Sequence, residues 1–196
     1  MKNLDDAKSR LGDRLDAAAR RTLGITMLTD VLNATDPWAH RWLVTADSDA
    51  KSVGSAMGCE IVNDSGGGLN HAVERGTLRA RQMGAATLLV LPCDLPLVSA
   101  EDIKFLFEEE AEVVIAPSSD GGTSALLRRP PNVTPASYGP GSAARHAAAA
   151  SSAGLSVKVV ALASLSLDID TPDDLAALAG AASDRLSVRL AKELLS

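Results

Sequence analysis

The 196-residue chain predicts an α/β fold, three layers deep, with helices covering both faces of a mostly parallel sheet. Three observations point there. Apolar runs of strand length alternate with stretches of helical spacing along the chain. Residues 86–91 (ATLLVL) form an unbroken apolar run, as strands buried on both faces do. Glycine clusters and short polar turns separate the pieces, and neither a linker nor a repeat marks a second unit, so residues 1–196 are expected as one domain.

Residues 20–34 carry Leu23, Met27, Leu28, Val31 and Leu32 on one side of a helix. A strand over 41–46, a small helix over 48–57 and a strand over 60–62 follow. Gly66, Gly67 and Gly68 break the chain before a helix over 69–83. After the run at 86–91, Asp94 lies at the end of a buried strand and Ser99 caps the next helix. Strands over 113–116 and 124–127 are joined by a Ser/Asp/Gly turn. Gly139-Pro140-Gly141 precedes a helix over 142–152, and a strand over 157–161 and an extended piece over 167–170 lead to the last helical section. There Thr171 reads as N-cap, Pro172 as the first helical residue and Asp174 as a first-turn acid, all structural roles.

The net charge of −6 and the lack of any basic run longer than two residues argue against binding duplex nucleic acid. No stretch approaches the roughly 18 apolar residues of a membrane span, and the N-terminus lacks an apolar leader, so a soluble cytoplasmic protein is expected. Cys59 and Cys93 fit no metal spacing and read as buried thiols.

Several segments carry candidate chemistry. Lys2, Lys8 and Arg10 could gather a triphosphate, although interleaved acids equally suit a solvated segment. Asp94 stands at a strand end facing the ligand crevice, where it serves either as an oxygen ligand for magnesium or as a turn residue. Asp168 and Asp170, two apart in an extended segment, point the same way and invite a cation. Tyr138-Gly139-Pro140-Gly141-Ser142 enters a helix whose first N–H groups suit an anion, with Arg145 and His146 one turn on. Gly121-Gly122-Thr123-Ser124 is a weaker case of the same kind. The glycines before Asn70 let a base or ribose approach closely.

Taken in order, KNLDDAKSRL, GGGLNHAVERG, LLVLPCDLPLV, DGGTSALL, YGPGSAARH and LDIDTPDDL resemble the guanylyltransferase family of coenzyme F420 biosynthesis, which is related to the molybdopterin nucleotidyltransferases. The likeness runs from Lys2 to about Leu178. It implies a Rossmann-like sheet of glycosyltransferase-A (nucleotide-diphospho-sugar transferase) type. It also implies transfer of GMP from GTP to a small phosphorylated acid, with phosphoenolpyruvate, 3-phosphoglycerate and 2-phospho-L-lactate as the family's acceptors. By that likeness Asp94, Asp168 and Asp170 hold Mg2+, and Lys2, Lys8 and Arg10 meet the triphosphate. Ser124, Gly139 and Ser142 form the acceptor pocket, and Asn70 lies near the nucleoside. Ser124 stands where the family commonly has asparagine or threonine. GTP and the phosphorylated acid are the expected partners, and a homodimer is an open expectation. Family members carry a short apolar strand ahead of the lysine; here it would lie upstream of Met1, as it would if Met1 were an internal valine codon. The rivals are a molybdopterin- or sugar-phosphate nucleotidyltransferase and a non-catalytic GTP-binding subunit.

Overall fold

The computed structural model describes residues 8–38 and 40–196. Lys2 lies outside the described residues. A 3-10 turn at Ser9–Leu11 leads into α1 (Ala17–Ala34), β1 (Trp42–Thr45), α2 (Ser48–Ala56), β2 (Glu60–Asn63), α3 (Gly68–Gln82) and β3 (Leu88–Val90). Then come α4 (Ala100–Glu108), β4 (Val113–Pro117), β5 (Thr123–Arg128), α5 (Ser142–Ser152), β6 (Val157–Val159), α6 (Ala163–Ser166), α7 (Pro172–Gly180) and α8 (Leu186–Leu195).

Local chemistry fixes the helix starts. Asp16 accepts from the Ala19 amide at 2.8 Å to open α1, and Asp47 accepts from Asp49 and Ala50 to open α2. Ser99 with Asp102, and Thr171 with Asp174, form reciprocal capping boxes before α4 and α7, with Pro172 in the first turn of α7. Helix α3 has no side-chain cap; Gly67 enters it at φ 101°, a left-handed conformation that suits glycine.

The strands form two hydrogen-bonded sheets among the described residues: β1–β2, which is parallel, and a four-stranded sheet in the order β3-β5-β4-β6. In the larger sheet β4 and β6 are parallel, whereas β5 runs against both β3 and β4. The reversal of β5 follows from its short link to β4, because a turn of that length joins antiparallel neighbours and cannot make a crossover.

Three layers are visible in how side chains alternate across β4 and β5. Val114, Ala116, Ala125 and Leu127 face one way, into a core shared with Val31 and Ala34 of α1, Ile103 and Leu106 of α4, and Leu165 of α6. Val113, Ile115 and Leu126 face the other way, against Val73 of α3 and Ala150 of α5. Each fully buried Leu or Ile here contributes about 1.5–3 kcal/mol, so this hairpin anchors the sheet. The apolar run at 86–91 does not behave as expected of a strand buried on both faces: β3 lies at the sheet's edge, and Leu89 and Val90 are only half-buried because they line a cleft. A separate core of Leu23, Met27, Leu175, Leu178, Val188 and Ala191 joins α1, α7 and α8. No helix among the described residues is long and apolar enough to cross a membrane.

Candidate active site

A cleft of about 840 Å³ is lined by residues of both sheets and of α1 and α3, and it opens onto a polar mouth. Its volume falls in the range of small-ligand sites. At the mouth stand Lys8, Arg10, Asp94, Asp120, Thr123, Ser124, Gly139, Ser142, Asp168 and Asp170.

Lys8 is the centre of the acidic group. Its ammonium donates to Asp94 Oδ2 and to Asp170 Oδ1, both at 2.7 Å, joining residues far apart in the chain. The lysine side chain is 8% exposed, against 33% for Asp94 and 46% for Asp170. Burial works against the ammonium, but the two carboxylates outweigh it and raise the Lys8 pKa above the ordinary lysine value. Lys8 has φ 59°, the one left-handed non-glycine residue among those described, a conformation that the two carboxylate contacts help to hold.

Asp168 and Asp170 flank Ile169, which is fully buried in the α1/α7/α8 core, so the two carboxylates emerge together on the opposite side. The Asp168 carboxyl is pushed up, first by burial and then by the negative charges of Asp94, Asp170 and Asp120. Among the described residues no three carboxylate, imidazole or thiolate groups make a ready-built metal cage. The Lys8 ammonium takes the place between two of the carboxylates. Arg10 is exposed at the mouth, where its charge reaches Asp120.

The second half of the mouth is the glycine-rich loop before α5, and the fold holds this loop rigidly. Asn70, reaching across from α3, accepts from the Tyr138 amide at 2.7 Å and donates to the Tyr138 carbonyl at 3.2 Å. Arg145 donates to the Ser137 carbonyl at 2.9 Å and to the Pro140 carbonyl. Asn70 thus ties α3 to the loop backbone, and Arg145 braces the loop carbonyls. Gly139 adopts φ 131° and Gly141 φ 67°, which lets the chain turn into α5.

Ser124 is 2% exposed, and its hydroxyl has no hydrogen-bond partner among the described residues. The strand pairing explains its orientation. Ala116 opposes Ala125 and Pro117 opposes Thr123, so Ser124 is the extra residue of a bulge, and both Thr123 and Ser124 reach the cleft. Ser142, fully buried in the first turn of α5, bonds Thr123 Oγ1 at 2.8 Å.

The sequence placed Thr123 and His146 in candidate segments but did not show that the two side chains meet. His146 is fully buried, bonds Thr123 Oγ1 through Nδ1 at 3.0 Å and accepts the Ser137 amide at Nε2 at 2.7 Å. The available signal was its position four residues after Ser142 in an otherwise alanine-rich helix, where the two share a face. Cys59 is buried as expected, but Cys93 is only half-buried at the cleft wall, where its desolvated thiol is pushed up to about 11.

Comparison with known proteins places the chain in a family. A family model described as "Guanylyl transferase CofC like" matches residues 1–194. The chain belongs to this guanylyl transferase family. It is 40% identical over 184 residues to the phosphoenolpyruvate guanylyltransferase of Rubrobacter xylanophilus, covering 91% of this chain and 90% of that one. It is 30% identical over 185 residues to the 3-phospho-D-glycerate guanylyltransferase of Colwellia psychrerythraea, covering 91% and 88%. Among solved structures, a protein assigned as a nucleotide-diphospho-sugar transferase from Desulfovibrio desulfuricans superposes with a TM-score of 0.81 at 18% identity, covering 98% of this chain and 91% of that chain. Molybdopterin-guanine dinucleotide biosynthesis protein A from Archaeoglobus fulgidus superposes with 0.52 at 15% identity, covering 90% and 96%. These two establish the fold: a Rossmann-like sheet of the nucleotide-diphospho-sugar transferase type. The guanylyl transferase is thus a nucleotidyltransferase whose polar mouth lies beyond the carboxyl ends of β3 and the segment leading to α7.

Proposed function

We propose that this guanylyl transferase moves GMP from GTP onto phosphoenolpyruvate, releasing pyrophosphate, as a step in the assembly of coenzyme F420. The observation that carries this reading is the 40% identity, along nine-tenths of the chain, to a protein named for that reaction. The geometry of the mouth is compatible with it.

Charge argues for a divalent cation. A nucleoside triphosphate entering this mouth meets Asp94, Asp120, Asp168 and Asp170, balanced locally by Lys8 and Arg10. Hard carboxylate oxygens suit magnesium, which characteristically takes one or two of them and completes its shell with water and phosphate, so a closed protein cage is not needed. Asp94, Asp168 and Asp170 are the residues that would hold it. When bound, it would neutralise phosphate charge and support departure of pyrophosphate.

The chain's own groups do the rest. The acceptor's phosphate oxygen is ionised at neutral pH, so it attacks the α-phosphorus of GTP without a general base. The bond to the bridging oxygen breaks, and pyrophosphate leaves with the electron pair. His146 is not needed as a base, and both its nitrogens are engaged. Lys8 and Arg10 offset charge on the triphosphate. Ser124 and Ser142 supply hydroxyl donors for the acceptor, on a loop already fixed by Asn70 and Arg145.

The test is an acceptor panel with GTP and Mg2+, in which mass spectrometry detects the guanosine-diphospho acid. The expected product forms with phosphoenolpyruvate in preference to 3-phosphoglycerate and 2-phospho-L-lactate, and chelation stops it. Turnover with none of the three acids rejects this reading. GTP binding without pyrophosphate release would instead make the protein a non-catalytic subunit.

A further inference from the structure

We propose that His146, by donating to Thr123, leaves the Thr123–Ser142 hydroxyl pair with one hydrogen to donate into the cleft, which makes His146 a positioning residue for an anionic oxygen of the acceptor. The identity of the ligand rests on the function proposed above; the direction of that donation does not.

The direction follows from counting hydrogens. The Ser137 backbone amide can only donate, and it lies 2.7 Å from His146 Nε2, so that nitrogen presents a lone pair. A neutral ring then carries its hydrogen on Nδ1, which faces Thr123 Oγ1 at 3.0 Å. No carboxylate among the described residues is paired with the imidazole. The charged groups that bear on it are Arg128 and Arg145, and the Tyr138 ring meets it edge-on with centroids 5.3 Å apart. Two cations and burial both oppose protonation, which pushes the imidazole down to about 4.

Thr123 therefore accepts from His146 and has one hydrogen of its own. The hydroxyl's other neighbour among the described residues is Ser142 Oγ at 2.8 Å. The two hydroxyls hold two hydrogens and use one of them between themselves, whichever is the donor. Ser142 lies in the first turn of α5, so there is no helical carbonyl one turn back to take a hydrogen, as serines deeper in a helix have. Thr123 and Ser142 both line the cleft, with Gly139 and Ser124, so the hydrogen left over has its outlet there. Were Nδ1 to present a lone pair instead, both hydrogens would be used inside the chain and the pair could only accept. A donor fixed in this way favours oxygens with only lone pairs, the carboxylate or phosphate of the acceptor, over groups that must themselves donate.

Two measurements test this. Nitrogen-15 NMR of histidine-labelled protein should show His146 as the Nδ1–H tautomer at pH 7 and still neutral at pH 5. An Nε2–H tautomer or an imidazolium overturns the proposal. Thr123→Val cuts the chain with a side chain of the same shape, and Thr123→Ser keeps the hydroxyl. Thr123→Val should raise the acceptor KM roughly ten- to a hundredfold, the loss expected for a hydrogen bond to a charged group, and leave the GTP KM alone. Thr123→Ser should restore it. An equal rise in both KM values, or no rise in a folded Thr123→Val protein, refutes the relay. If that variant does not fold, the tautomer decides. If wild type uses no phosphorylated acid, the proposed function falls, and the NMR result still stands or fails on its own.

Discussion

Acid should loosen this protein through His146, and replacing that residue should remove the effect. In the unfolded chain an imidazole titrates near its ordinary value of about 6.5; in the folded protein burial, then Arg128 and Arg145, bring it down to about 4. Between those values the unfolded chain holds one more proton than the native state, so unfolding free energy rises with pH across that window. The stabilisation is complete above about pH 6.5 and is lost as pH falls towards 4. A shift of that size corresponds to at most about 3 kcal/mol. For a chain of this length, that is roughly 6–12 °C in Tm. The assay is a series of thermal or urea melts from pH 4 to 7.5, comparing wild type with His146→Asn. Carboxylates that titrate in the same range cancel in the difference between the two proteins. The wild-type curve should fall more steeply, the gap between the proteins narrowing as pH drops. Parallel curves from pH 6.5 to 4 would refute the assignment of a neutral, desolvated imidazole.

Other perturbations probe different parts of the molecule. Asp94→Asn removes the charge of a cleft carboxylate that is one-third exposed, while Asp170 still pairs with Lys8; kcat should fall by about 10²–10³-fold in a folded protein, and near-normal turnover would exclude Asp94 from the site. Gly139→Ala places a side chain at φ 131°, so about 1–3 kcal/mol of strain should appear in melts, together with a raised acceptor KM. Asp30→Ala uncaps α8, since Asp30 accepts from the Ser187 hydroxyl at 2.5 Å, the Ser187 amide at 2.9 Å and the Leu186 amide at 3.2 Å; stability should drop by about 2–4 kcal/mol with both KM values intact.

Much of the fold could be read in one dimension because its determinants are local. The capping boxes at Ser99 and Thr171 each lie within four residues, and the glycines before α3 and α5 mark their turns wherever the rest of the chain goes. The alternation of Ile169 with Asp168 and Asp170 likewise needs only the two-residue period of an extended chain. The order of motifs from Lys2 to about Leu178 was enough to place the chain in its family.

The use made of each polar group was not legible there. Asp30 sits on the apolar side of α1, and only the docking of α8 turns it into a helix cap. Asn70 and Tyr138, 68 residues apart, meet because α3 and the loop before α5 pack on the same face of β4 and β5. Lys8 reaches Asp94 and Asp170 across separations of 86 and 162 residues. Composition, period and turn chemistry act over a few residues, so the sequence by itself determined which elements form and which chemical groups are present. Pairing of hydrogen-bond donors with acceptors across the fold depends on distances that only the packed chain sets; tertiary structure decided which of those groups brace the loops and which line the cleft.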